Sequence, residues 1–255
     1  MKSIGVIAAR FASTRFPGKM LALIDGKSMI EHVWERAKRA RELNAVIIAA
    51  DDTRIMNVVS NFGGTAVMTD PNLASGSDRV AAVIKVLDCD CVVNIQGDEP
   101  LLEPVLIDQL IRALEKNPDL GVATPIQEIK NASELADPNV VKVVIDQRGR
   151  ALYFSRSPIP FQREPARTVE LKFYRHLGMY AFRRKFLLEF CTWPKSMLES
   201  VEKLEQLRIL EAGHVIQTVL TEFDSVGVDV PADIGKVEYL LKKAQNDKNH
   251  FTRQH

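Results

Sequence analysis

The chain has 255 residues, of which 46% are apolar and 26% are charged. This composition is that of a globular protein and excludes a disordered or collagen-like chain. With 34 basic and 33 acidic residues the net charge is +1, which excludes the broad positive field that holds nucleic acid. An anionic ligand must therefore be bound by a few placed cations, which favours a small phosphorylated molecule and predicts no nucleic-acid partner.

Neither a secretory leader nor a membrane span is predicted. The first apolar run stops at Arg10, too early for the core of a signal peptide. No stretch approaches the ~20 apolar residues of a transmembrane helix. The three cysteines have no framework spacing, as in proteins of a reducing compartment. We therefore expect a cytoplasmic protein with no membrane insertion.

Short apolar runs alternate with amphipathic stretches in the first half of the chain. Strands are predicted at 4–9, 45–50, 65–68, 91–95 and 122–125, and those at 4–9 and 91–95 are expected to be buried. Helices are predicted from a capping box at Ser28, from Asp51 or Asp52 to Asn61, from Ser77 to Leu87, and over 105–115. This order predicts an α/β fold with a doubly wound, mostly parallel sheet, in which ligands bind beyond the carboxyl ends of the strands.

The pattern changes after about residue 138. A hairpin is predicted from strands at 140–145 and 151–154, followed by a strand at 176–182 and a helix at 198–211. A last helix is predicted from near Pro231. Residues 245–255 are predicted to form a polar, frayed tail.

A cationic loop, ARFASTRFPGK, runs from Ala9 to Lys19 between the first strand and the first helix. Its backbone N–H groups and hydroxyls can donate to phosphates, while Arg15 and Lys19 neutralise charge. It has neither the Walker A order nor Gly-x-Gly-x-x-Gly. The loop therefore favours a triphosphate site of another kind, and a solvated basic loop is the alternative.

Two acids follow apolar runs at positions where a parallel sheet binds ligands. Asp98 ends the run NIQGD, and Asp229 ends the run VGVD. Carboxylates are ligands that Mg²⁺ prefers, although each of these acids could instead begin a helix. If the fold brings Asp98 and Asp229 together, they form a metal clamp for an α-phosphate.

Three further stretches carry weaker signals. In SGSDR, small residues allow a flat base to approach and Arg79 adds charge, but a capped helix start is the competing interpretation. In YRHLGMY, the clustered Arg175, His176 and Tyr180 could donate to a polyhydroxy acid, whereas a lone histidine in a strand is usually structural. The stretch EKLEQLR could be a solvated helix face.

Together these stretches resemble the 3-deoxy-manno-octulosonate (Kdo) cytidylyltransferase family. The matching segments, in family order, are ARFASTRFPGK, GKSMIEHVWERA, SGSDR, NIQGDEP, NVVKVV, ALYFSRSPIP, YRHLGMYAF, EKLEQLR and GVDVPADI. The resemblance implies a single nucleotidyltransferase domain over residues 1–255, with a smaller sugar-binding and dimerisation lobe at about 130–212, and a homodimer. It implies transfer of CMP from CTP to Kdo or its 8-amino analogue, with release of pyrophosphate, which activates the sugar for lipopolysaccharide synthesis.

The resemblance also implies roles for individual residues. CTP would contact Ala9, Arg10, Ser13, Arg15, Lys19, Ser75, Gly76 and Arg79. Catalysis would depend on Lys19, Arg15, Asp98 and Asp229, the two acids binding Mg²⁺. The sugar would contact Gln96, Arg156, His176, Tyr180, Glu205 and Gln206. Arg156 is expected to hold the sugar carboxylate in a two-pronged ion pair, and no general base is predicted.

Two alternatives stay open at this point. One is a cytidylyltransferase for nine-carbon sugars of the sialic acid type, whose relatives have a different lysine- and glycine-bearing phosphate loop. The other is a non-catalytic nucleotide-sugar sensor, which would not need both Asp98 and Asp229. The stretch 162–173 matches the family poorly, so the sugar is the least constrained part of the interpretation.

Overall fold

The computed structural model describes residues 1–164, 171–223 and 226–252, with side chains as far as residue 243. Its strands are β1 (Ser3–Ala9), β2 (Leu23–Ile24), β3 (Lys27–Ser28), β4 (Ala45–Ala50), β5 (Thr65–Met68), β6 (Cys91–Gln96), β7 (Val122–Glu128), β8 (Lys142–Ile145), β9 (Ala151–Ser155), β10 (Tyr174–His176), β11 (Tyr180–Arg183) and β12 (Ile216–Thr221). Its helices are α1 (Met29–Ala37), α2 (Thr53–Asn61), α3 (Gly76–Ile84), α4 (Pro104–Lys116), α5 (Ala132–Ala136), α6 (Arg184–Phe190), α7 (Met197–Glu202), α8 (Leu207–Glu211) and α9 (Asp233–Thr252).

A mixed sheet of ten strands organises the described residues. Its order is β5-β4-β1-β6-β11-β7-β10-β8-β9, and β12 pairs with β7. Strands β5, β4, β1 and β6 run parallel, as does β12 to β7. The antiparallel pairs come from β8 to β11 in the second half of the chain. The predicted α/β fold with a mostly parallel sheet is thus confirmed, and the predicted hairpin is β8-β9.

Helices cover both faces of this sheet because its central strands are apolar on both sides. In β1, Ile4 and Val6 belong to one buried cluster with α3, α6 and α8, while Ile7 and Ala9 belong to a second with α1, α2 and α4. The central parallel strands are therefore rigid, and the loops at their carboxyl ends start from fixed positions.

Two predicted helix starts are wrong in detail. Helix α3 is capped by Ser75, whose hydroxyl accepts from the N–H of Asp78, and it ends at Ile84. The predicted cap, Ser77, is buried and donates to Glu205 instead. Ser28 does precede α1, but its hydroxyl makes no capping bond, so the predicted capping box is absent.

Two predicted elements are each broken in two. The strand predicted at 176–182 is interrupted at Gly178 between β10 and β11, where Leu177 bonds back to Pro125. The helix predicted at 198–211 is interrupted after Glu202 because Lys203 takes a left-handed conformation, with φ 55°.

The last helix begins at Asp233, slightly later than predicted, where the Asp233 carboxylate accepts from the N–H groups of Asp229 and Val230. The predicted tail at 245–255 continues α9 to Thr252, and its final positions lie outside the described residues. Among the described helices, none is both long enough and apolar enough to cross a bilayer.

Candidate active site

Lys19 joins the two acids that the sequence singled out. Its ammonium donates to Asp98 Oδ2 at 2.6 Å and to the carbonyl of Val228 at 3.1 Å, and it lies 3.8 Å from Asp229 Oδ1. Arg15 Nη2 reaches Asp229 Oδ1 at 2.8 Å. The predicted meeting of Asp98, Asp229 and the cationic loop is therefore present, with the two cations held on the two acids.

The backbone around these residues is fixed by close packing. The N–H of Val228 donates to the carbonyl of Asp98 at 2.9 Å, which ties the two acidic segments together. Val228 itself is buried with Ile24, Met29 and Val237 in a small separate cluster. The position of Asp229 is therefore set by the packing of α9 and the β2-β3 hairpin against the loop that contains Val228.

Gly97 allows the Asp98 segment to approach the end of β1. A Cβ atom at Gly97 would lie 2.9 Å from both the carbonyl oxygen of Ala8 and the sulfur of Met20, a separation that requires the backbone to move. The absence of a side chain at this position therefore sets where Asp98 stands.

The cationic loop is closed on itself. The N–H of Gly18 donates to the carbonyl of Phe11 at 3.0 Å, and Gly18 has a φ of +70°, which favours glycine. Ala9 is buried at the end of β1, so it can offer a ligand only backbone groups, while Arg10 and Ser13 are half-buried in the loop.

Arg79 lies beneath this loop with a side chain that has no exposed surface. Its Nη1 donates to Thr69 Oγ1 at 2.5 Å, and its Nη2 forms an ion pair with Asp51 at 3.4 Å without hydrogen-bond geometry. Asp51 in turn accepts from the N–H of Phe11 at 2.8 Å. In this structure Arg79 supports the loop through Asp51, and its predicted contact with CTP stays a prediction. Ser75 and Gly76 stand above it at the start of α3.

A cleft of about 580 Å³ contains all six predicted sugar residues. They are Gln96, Arg156, His176, Tyr180, Glu205 and Gln206. Gln96, Glu99 and Gly227 line the same cleft, and they flank Asp98 and Asp229 in the chain. The cleft therefore begins directly beside the two acids.

The break between β10 and β11 shapes one wall of the cleft. Gln96 Nε2 donates to the carbonyl of Gly178 at 2.8 Å, so the bend is anchored to the end of β6. Such irregularities in a strand redirect side chains. Here His176 and Tyr180, on either side of the bend, have ring centroids 5.3 Å apart.

His176 is uncharged in this setting. Burial lowers its pKa to about 3. Thr124 Oγ1 donates to the carbonyl of Met179 at 2.8 Å, so its contact of 2.8 Å with His176 Nε2 requires the imidazole to be the donor. Nδ1 is then an acceptor, suited to a sugar hydroxyl. For neighbouring Tyr180, burial and then the charge of Glu205 raise the pKa well above its usual value.

Glu205 links the start of α3 to the cleft. Its carboxylate accepts from Ser75 and Ser77, each at 2.9 Å, and lies 3.3 Å from Arg208 Nη2. Burial raises its pKa, and the two hydroxyls and Arg208 oppose that shift. Next to it, the amide nitrogen of Gln206 is buried without a hydrogen bond among the described residues, and is thus ready to donate to a ligand.

Arg156 is tied to the backbone at two points. Nε donates to the carbonyl of Glu202 at 2.8 Å and Nη1 to that of Pro138 at 2.9 Å. These bonds occupy two of its five N–H groups, and the other three, one on Nη1 and two on Nη2, make no hydrogen bond within the described chain. The two-pronged ion pair with a carboxylate stays a prediction.

The sequence did not single out two residues that support the site. Thr124 sets the orientation of His176, and Asp51 connects Arg79 to the loop. They lie in a strand and at the end of a strand with no local site motif, so only their tertiary contacts reveal them. Arg175, which the sequence groups with His176 and Tyr180, lines the cleft and is held by Gln127 and, at 3.8 Å, by Glu134.

A family model described as Cytidylyltransferase matches residues 4–219 of the chain. The 3-deoxy-manno-octulosonate cytidylyltransferase of Pelobacter propionicus is 49% identical over 254 residues, covering 96% of this chain and 100% of the relative. That of Geobacter sulfurreducens is 47% identical over 250 residues, covering 95% and 100%.

Among solved structures, CMP:2-keto-3-deoxy-manno-octonic acid synthetase complexed with CTP superposes with a TM-score of 0.90 at 42% identity, over 96% of this chain and 100% of that one. The 4-diphosphocytidyl-2C-methyl-D-erythritol synthase of Anaerococcus prevotii, at 16% identity and a TM-score of 0.62 over 94% and 99%, shares the fold. The chain is thus a nucleotidyltransferase of the cytidylyltransferase class. Within that class it belongs to the 3-deoxy-manno-octulosonate cytidylyltransferase family.

Proposed function

We propose that this protein transfers CMP from CTP to a Kdo-type sugar acid and releases pyrophosphate. The observation that supports the proposal is the adjacency of two sites: the cluster of Lys19, Asp98 and Asp229 lies beside the cleft lined by the six predicted sugar residues, because Glu99 and Gly227 line that cleft as well. A nucleotide held by the loop would therefore place its α-phosphate at the mouth of the sugar cleft. No feature of the described residues favours the alternative substrate, a nine-carbon sugar of the sialic acid type.

The proposed reaction is an in-line displacement. The anomeric hydroxyl oxygen of the sugar forms a bond to the α-phosphorus of CTP, the bond to the β-phosphate oxygen breaks, and the hydroxyl proton is lost to solvent. The protein contributes mostly by holding both reactants in line and by neutralising charge. Arg15 and Lys19, now paired with acids, would move onto the triphosphate and hold the leaving pyrophosphate.

The acids fit a divalent cation, which we propose to be Mg²⁺. A positively charged ammonium already stands among three oxygens, those of Asp98, Asp229 and Val228. Mg²⁺ is usually held by one or two carboxylates together with substrate phosphates, which matches the pair Asp98 and Asp229. When bound there, it would supply charge neutralisation at the α-phosphate and a more acidic attacking hydroxyl.

We also propose that the protein acts in the cytoplasm as a homodimer. Its three cysteines are unpaired in the structure, which suits a reducing compartment. In the expected dimerisation lobe, Leu152 is 60% exposed on β9, a strand at one end of the sheet. An exposed apolar side chain on an edge strand suits a contact with a second copy.

Pyrophosphate release, measured with each of the four ribonucleoside triphosphates against Kdo and 8-amino-Kdo, tests the proposal. We expect release with CTP and one of the two sugars, and background release with ATP, GTP and UTP. Comparable release from CTP without any sugar acid, or faster release with a sialic acid than with either octulosonate, would contradict it.

A further inference from the structure

We propose that Lys203 is a second cation for the carboxylate of the sugar acid, acting beside Arg156. This inference rests on the proposed function and adds a residue to its sugar site. In an octulosonate the carboxylate is attached to the anomeric carbon, whose hydroxyl is the attacking group. A residue that fixes the carboxylate therefore also orients the nucleophile.

The backbone of Lys203 is the first observation. It follows α7 with φ 55° and ψ 43°, a left-handed conformation. At the end of a helix this position is usually filled by glycine or asparagine, and another residue there costs ~1 kcal/mol. Residues held in such an unfavourable backbone conformation are often found at functional sites. A role for the Lys203 side chain would explain why lysine, rather than glycine, occupies this position.

The position of Lys203 is the second observation. It lines the same cleft as Arg156, His176 and Gln206. Its neighbours are fixed on both sides: the Glu202 carboxylate accepts from Ser155 and from the N–H of Arg156, and Leu204 is buried. The chain therefore holds the Lys203 Cα at the edge of the cleft, next to Arg156.

The third observation is the state of the cations in the cleft. Arg175 is held by Gln127 and Glu134, and two of the five N–H groups of Arg156 are bonded to backbone carbonyls. Lys203 has no hydrogen bond or ion pair with any residue that the structure describes. Each oxygen of a carboxylate can accept more than one hydrogen bond, so the group can bind Lys203 Nζ together with the remaining N–H groups of Arg156.

Steady-state kinetics of pyrophosphate release by the full-length enzyme tests this role. Lys203→Gly removes the charge and suits the left-handed backbone, so its melting temperature should equal or exceed that of the wild type. We expect its KM for the sugar acid to rise ~10-fold or more, since a hydrogen bond to a charged group is lost. Its KM for CTP should stay within about 2-fold.

Three comparisons test whether the effect on KM comes from the positive charge of Lys203. Lys203→Arg should keep the KM for the sugar near the wild-type value. Lys195→Gln, which removes an exposed charge before α7 and outside the cleft, should leave all constants unchanged. The C1 amide of the sugar, used as a competitive inhibitor, should bind the wild type and Lys203→Gly equally.

A wild-type KM for the sugar in Lys203→Gly, or an equal loss of affinity for acid and amide, would overturn the role of Lys203 and leave the proposed function standing. A wild-type enzyme that releases no pyrophosphate with either octulosonate would instead overturn the proposed function, and this inference with it.

Discussion

Asp98 is the residue whose loss should most strongly affect catalysis, because we propose that it holds Mg²⁺ at the α-phosphate. It lies at the end of β6, bonded to Lys19 and beside the sugar cleft. Removal of a group that stabilises charge in a transition state typically lowers kcat by ~10²–10³. We expect Asp98→Ala to show a loss of this size with a small change in melting temperature.

The matched control is Asp88→Ala. Asp88 is an exposed acid that forms an ion pair with Lys2 and does not line the cleft. Its kcat should equal that of the wild type. Near-normal turnover of Asp98→Ala with CTP and Mg²⁺ would show that Asp98 is not a metal ligand.

His176 makes a prediction about pH and stability. Its pKa is about 3 in the folded protein, against an ordinary value of 6.5 for histidine, so the unfolded chain binds the proton more readily. Folding stability is therefore highest above pH 6.5 and falls as the pH drops from 6.5 towards 3. One edge of the ring faces the cleft, so we expect the loss between pH 6.5 and pH 5 to be about 1 kcal/mol.

Urea unfolding at pH 6.5 and pH 5, compared between the wild type and His176→Gln, measures the contribution of His176 to this loss of stability. The variant should lose about 1 kcal/mol less than the wild type over the same interval. Equal pH dependence in the two proteins would show that the pKa of His176 in the folded protein is close to its value in the unfolded chain.

The turn between β6 and α4 makes a prediction at the scale of an element. A Cβ at Gly97 would strike the carbonyl of Ala8, so Gly97→Ala should shift the end of β6 and destabilise the protein by about 1–3 kcal/mol. Because the shift moves Asp98, kcat should fall as well.

Gly235 is the control for this change. A Cβ there would meet nothing within 4 Å, and Gly235 lies in α9, so alanine should stabilise by about 0.5–1 kcal/mol. Urea unfolding measures both variants, and equal stability of Gly97→Ala and the wild type would show that the close approach is unimportant.

The sequence predicted the parallel half of the fold well because its central strands, β1, β4 and β6, are mostly buried on both sides. Continuous apolar runs such as those of β1 and β4 mark where each strand begins and ends. The second half was predicted less well, since Lys203 breaks a helix at a residue that carries no helix-stopping signal. The cap of α3 was misplaced because Ser75 and Ser77 are equally good caps by type, and the sequence does not show at which of them the helix begins.

The site was predicted mainly through its family resemblance. Local patterns marked Lys19, Asp98 and Asp229, but nothing local showed that Lys19 would join them. Contacts across the fold, such as Asp51 beneath the loop or Thr124 on His176, have no signature in the neighbouring residues. They follow only from how the strands are ordered in the sheet.

At the scale of the whole molecule, the proposed homodimer makes a prediction about mass. Sedimentation equilibrium should give twice the chain mass of 28.6 kDa. Leu152→Asp, in the expected lobe, should weaken the dimer, because it places a charge on an edge strand. Val86→Asp, on a side chain that is 84% exposed outside the lobe, should not. A wild-type protein that sediments as a monomer at micromolar concentration would contradict the proposal.

The central claim is that one continuous site joins the α-phosphate of CTP to a sugar hydroxyl. Phosphorus NMR of the enzyme with CTP, Kdo and Mg²⁺ follows that bond directly. We predict that the three CTP signals give way to one phosphodiester signal of the CMP-sugar and to pyrophosphate, in equal molar amounts. Unchanged CTP, or its conversion to free CMP and pyrophosphate, would contradict the account.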